Sequence, residues 1–92
     1  MSIKDVLRDK LTAAFAPLSL DVIDDSALHA GHAGARPGGE THFRVRIVSR
    51  AFAGMGRVER QRHVYAVLAE EMSGRVHALA LTVLAPEEQS PS

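Results

Sequence analysis

The chain has 92 residues, of which 46% are hydrophobic and 24% charged, with 11 basic side chains balancing 11 acidic ones. That is the size and make-up of one small globular domain, which excludes an intrinsically disordered chain. No run approaches the ~18–20 apolar residues of a membrane span, and the lack of cysteine excludes disulfides, thiol nucleophiles and thiolate-held zinc.

Ile3, Val6, Leu7 and Leu11 recur at helical spacing, and Ser2 with Asp5 three residues later forms an N-terminal cap signal. The spacing predicts a first helix from about Ser2 to Phe15, stopping ahead of Pro17. Leu18, Leu20 and Val22 alternate with Ser19 and Asp21, predicting a first strand. From Ser26 to Gly39 the periodicity vanishes. Four glycines, a proline, His29 and His32 make this a 14-residue loop, of a length more often kept for function than for turning the chain.

Phe43, Val45 and Ile47 alternate with His42, Arg44 and Arg46, predicting a second strand with one buried face and one basic, wet face. Ala51 to Gly56 is a turn region. Val64, Val67, Leu68 and Met72 predict a helix from Arg57 or Val58 to Met72, closed by Ser73 and Gly74. Val76 to Leu84 is almost wholly apolar, as expected of a well-covered strand. Residues 1–85 read as one domain and 86–92 as a flexible tail.

The order helix-strand-strand-helix-strand implies an α/β (α+β) domain. The first two strands pair as an antiparallel hairpin across the long loop, and the last two run parallel through a right-handed crossover. The helices cover one face of a three-stranded mixed sheet, and the other face stays open. This topology brings the end of the first strand and the starts of the other two to one edge. Four of the five histidines, His29, His32, His42 and His77, therefore gather there. Arg50 to Arg62 lie at the opposite end.

His29 and His32 have a spacing seen in metal sites, although a polar loop that merely contains histidines would look the same. His77 interrupts an apolar strand, either as a metal ligand or as a partly buried imidazole bonded to a backbone carbonyl. His63 decorates the flank of its helix. Between His42 and Val64 six arginines face Glu59 alone, giving a local basic surface on a neutral protein. No nucleophile–base arrangement, phosphate loop or paired carboxylate is recognisable, so the chain is not expected to be an enzyme. Gly31-His32-Ala33-Gly34 matches the Gly-x-x-Gly clamp of KH domains, but it lies between strands, whereas that clamp joins helices. The opening Met1-Ser2-Ile3-Lys4-Asp5 carries no apolar targeting core, and with the absence of cysteine this points to the cytoplasm.

Several segments together resemble the BolA family. They are Asp25-Ser26 followed by His29, Gly39-Glu40-Thr41-His42-Phe43-Arg44-Val45, Ile47-Val48-Ser49, and Phe52 with Gly54. The series continues with Arg60-Gln61-Arg62-His63-Val64-Tyr65, Leu68-Ala69-Glu70-Glu71 and Val76-His77-Ala78-Leu79-Ala80. The resemblance implies a KH-like fold of the class II type and a partner of monothiol glutaredoxins in iron–sulfur cluster trafficking and iron homeostasis. In such complexes a [2Fe–2S] cluster is shared with the glutaredoxin and glutathione. The family's strand-three histidine, here His77, is a ligand together with a loop residue, for which His29 aligns best and His32 is a neighbouring candidate.

The donor chemistry agrees with that implication. Clusters of this kind take mostly thiolates, with imidazoles replacing two of them in Rieske-type sites. A chain without thiols needs a partner's sulfur. Imidazole binds metal only when neutral, so acid is expected to loosen the cluster. The isolated chain is expected to be a monomer or weak dimer with no membrane contact. The alternative is a nucleic-acid-binding transcriptional regulator, with DNA held by Arg57, Arg60 and Arg62 at the helix start.

Overall fold

The computed structural model describes residues 2–25, 42–74 and 76–88. The first helix, α1, spans Ile3–Phe15, and Ser2 caps it by accepting the Asp5 N–H at 3.1 Å. Ala16 ends it in the left-handed region (φ 44°, ψ 56°) and donates its N–H to Thr12 at 3.0 Å. Pro17 follows and prevents another helical turn.

The hairpin is formed by β1, Ser19–Asp24, and β2, His42–Val48, paired antiparallel from Ser19 opposite Val48 to Asp24 opposite Phe43. A 3₁₀ turn at Arg50–Phe52 leads to α2, Arg57–Val67, and the short α3, Ala69–Ser73. The last strand, β3, is Ala78–Leu84 and runs parallel to β2, from Ala78 beside His42 to Leu84 beside Val48. The strand order is β1-β2-β3.

The expected element order and pairing are all present, with three departures. The helix expected through Met72 is interrupted at Leu68, whose backbone (φ −102°, ψ 16°) leaves helical geometry while its side chain stays buried. The last strand is less well covered than its apolar run predicts. It lies at the sheet edge, with Ala78, Ala80 and Thr82 exposed and Leu79, Leu81 and Val83 turned towards the core. Alanine tolerates that exposure because its apolar area is small. Lastly, Pro86–Glu88 form a 3₁₀ turn belonging to the folded part, with Glu88 bonded to Arg60; residues 89–92 lie outside the described ones.

The core lies between the helices and one sheet face. Leu7, Leu11 and Phe15 of α1 and Val64 of α2 meet Val22, Phe43, Val45 and Ile47 of the sheet, with Phe52 and Leu68 also fully buried. Phe15 and Phe52 pack at 4.8 Å between ring centroids. The buried Ser49 hydroxyl donates to the Phe15 carbonyl at 2.6 Å and accepts the Ala51 N–H at 3.1 Å. It joins the end of α1 to the turn after β2.

Candidate metal-ligating rim

Because β2 and β3 are parallel and in register at their first residues, both begin at the same end of the sheet. His42 is the first residue of β2, and His77 immediately precedes β3. Their rings stack with centroids 6.4 Å apart and planes 24° apart. His42 is half-buried, whereas His77 is exposed. A buried imidazole satisfied by the core is therefore not what His77 is.

The end of β1 meets the same rim. The Asp25 N–H donates to the His42 carbonyl at 2.8 Å, and Arg44 Nη2 lies 3.0 Å from Asp25 Oδ2. The segment carrying His29 and His32 thus departs from and returns to this rim, but both histidines lie outside the described residues. Among the described residues no group of three or more histidine, aspartate or glutamate side chains is placed to enclose a metal ion. His63 stands apart on α2, exposed, 3.9 Å from Glu59.

The opposite end of the sheet, about 20 Å away at ~3.3 Å per strand residue, carries Arg57 and Arg60 beside Val83 and Leu84. Arg57 and Arg62 are exposed. Arg60 is not, having only 11% of its side chain accessible. Its guanidinium donates to the carbonyls of Met55 at 2.9 Å and Val83 at 3.3 Å, and binds both carboxylate oxygens of Glu88. The bonds to Glu88 raise Arg60 above its ordinary pKa, and Arg60 holds the Glu88 carboxyl below the usual carboxylate range. A cavity of about 600 Å³ opens there, lined by Met55, Arg57, Arg60, Gln61, Thr82 and Glu88 among others. Nothing local in sequence announces the Arg60–Glu88 latch, which joins residues 28 apart.

The comparisons agree with the topology. The BolA-like protein family pattern matches residues 11–88. The chain belongs to the BolA family. Within the family it is 47% identical over 88 residues to the chloroplastic protein BOLA1 of Arabidopsis thaliana, covering 94% of this chain but spanning only about half of that protein (54%). It is 46% identical over 81 residues to the DNA-binding transcriptional regulator BolA of Escherichia coli K12, covering 88% of this chain and 73% of the relative. The solved BolA domain of SufE1 from Arabidopsis thaliana superposes with a TM-score of 0.85 at 40% identity, covering 97% of this chain and 98% of that one. This BolA-like chain therefore shares both sequence and architecture with the family. No helix among its described residues is long and apolar enough to cross a membrane.

Proposed function

We propose that this BolA-like protein is a non-enzymatic partner of a monothiol glutaredoxin, sharing a [2Fe–2S] cluster with it in iron–sulfur trafficking and iron homeostasis. The observation carrying this reading is the exposed His77 ring at the rim where β2 and β3 begin, stacked beside His42. An exposed imidazole at a strand end is open to an approaching partner, and Asp25 and His42, which flank the stretch containing His29 and His32 in sequence, meet at the same rim. His77 and His29, with His32 as the other loop candidate, supply nitrogen donors.

The donor set fits a shared cluster and not a self-contained one. The sequence has five histidines and no cysteine, so sulfur ligands must come from the glutaredoxin cysteine and its glutathione. Once bound, the cluster supplies transferable iron held between two proteins. This chain's part is to present nitrogen at a fixed position. Val76, buried, and Ala78, paired beside His42, pin the backbone on either side of His77.

Mixing the chain with cluster-loaded monothiol glutaredoxin, followed by absorption and circular dichroism, tests this directly. New bands that His77→Ala removes support it; spectra identical to glutaredoxin alone overturn it. The named function of the E. coli relative supports a second reading, DNA binding at the start of α2. Arg57 and Arg62 carry that reading, because Arg60 is committed to Glu88. The affinity would fall with salt and with Arg57→Ala or Arg62→Ala; no binding at low salt would remove it.

A further inference from the structure

Lys10 of α1 reaches across to α3. Its Nζ lies 2.8 Å from Glu71 Oε2 and 3.2 Å from Glu70 Oε2. The two carboxylates stand in different settings: the Glu70 side chain is 85% exposed and that of Glu71 only 8%. The other Glu71 oxygen, Oε1, is buried with no hydrogen-bond partner among the described residues. The hydrogen bond that Lys10 donates to Glu71 raises Lys10 above its ordinary pKa and keeps it protonated.

The main chain of the same glutamate holds the turn that follows. The Glu71 carbonyl accepts the N–H of Gly74 at 3.1 Å and of Val76 at 3.2 Å. Val76 is 3% exposed; His77 comes next in the open, and Ala78 then starts β3 beside His42. Glu71 therefore ties α1, through its carboxylate, to the connection that delivers His77, through its carbonyl.

A part-buried ion pair, with the Lys10 side chain 33% exposed and one Glu71 oxygen unsatisfied, adds little stability, because solvent screens the ammonium while the carboxylate still bears a desolvation cost. What the charged pair adds is direction. We propose that Lys10 and Glu71 are positioning residues for His77, fixing where the α3–β3 connection meets the rim and hence where the imidazole can reach iron. This rests on the shared-cluster reading and names residues of that site which touch no cluster themselves.

The test uses the full chain and replaces the pair by apolar residues in the double variant Lys10→Met/Glu71→Met. Hydrogen exchange is read at the Val76 amide in the free protein. In the complex with cluster-loaded monothiol glutaredoxin, cluster retention is read by absorption, and imidazole nitrogen coupling by pulsed electron paramagnetic resonance after one-electron reduction of the cluster with dithionite. The double variant should melt no lower than the parent, yet exchange Val76 about tenfold faster and release its cluster faster. Lys10→Arg and Glu70→Gln should match the parent in both readouts. Glu71→Gln provides the same comparison should the double variant fail to fold.

Exchange at Val76 within about twofold of the parent overturns the positioning role, whatever the cluster does. Faster exchange with unaltered cluster retention and nitrogen coupling also overturns it, because His77 would then not need the tether. If His77→Ala leaves the parent spectrum unchanged, the shared-cluster reading falls and takes this proposal with it. That failure is recognised without any Lys10 or Glu71 variant.

Discussion

His42 opens β2 and His77 immediately precedes β3, and their rings lie 6.4 Å apart because the parallel register sets His42 beside Ala78. One ring is half-buried and the other exposed. Of the two rings, His77 is the one open to solvent, and the proposed ligand role falls on it. Replacing it should cost the fold little and the complex a great deal.

His77→Ala should change unfolding free energy by less than about 1 kcal/mol, the scale of an exposed substitution that also gives up one ring contact. The same variant should abolish the imidazole signature of the glutaredoxin complex, and His29→Ala should weaken it. Urea unfolding of the free chain and spectroscopy of the complex check the two halves separately. A large loss of stability would mean that His77 serves the fold.

Ser49 should behave in the opposite way. Its hydroxyl is buried and serves Phe15 and Ala51 together. Ser49→Ala leaves the Phe15 carbonyl without that donor, which should cost about 1–3 kcal/mol. The midpoint of urea unfolding should fall with no change in its slope. Cluster spectra of the folded variant should match the parent.

Ala16 offers a stabilising substitution. It is the only non-glycine residue with positive φ among the described residues. A Cβ in that region is strained, and glycine relieves the strain at some cost in unfolded-chain entropy. Ala16→Gly should raise stability by about 0.5–1 kcal/mol, visible as a higher melting temperature. A lower one would show that the cap carries no strain to relieve.

The Arg60–Glu88 latch should respond to acid. Glu88 has its carboxyl lowered chiefly by the hydrogen bond from Arg60 and next by the Ala85 N–H. A carboxylate more acidic in the folded state adds stability that is present above the unfolded value of about 4.3 and lost as pH falls through the lower folded value. The parent should therefore melt above Glu88→Gln at neutral pH, and the gap should close only below about pH 4. A gap unchanged across that window would show that the charge on Glu88 does not matter.

What could be read from the chain alone was whatever is encoded within a turn of helix or a few strand residues. The Ser2 cap, the stop before Pro17, the alternation of Phe43, Val45 and Ile47 with Arg44 and Arg46, and the element order are of this kind. Together with right-handed crossover they even place His42 and His77 at one edge. The family motifs added the ligand role proposed for His77, which no spacing contains.

The tertiary structure decided the rest. An apolar run such as Val76–Leu84 is the same in a central strand or an edge strand, and only the sheet order left Ala78, Ala80 and Thr82 in water. The basic cluster likewise reads as one surface until Glu88 removes Arg60 from it. Lys10 and Glu71 carry no local pattern at all, since their meeting depends on where α1 and α3 are set by the assembled fold. Periodicity and capping are short-range interactions that neighbours in sequence already specify. Ion pairs across elements depend on packing angles and register that only the assembled core fixes.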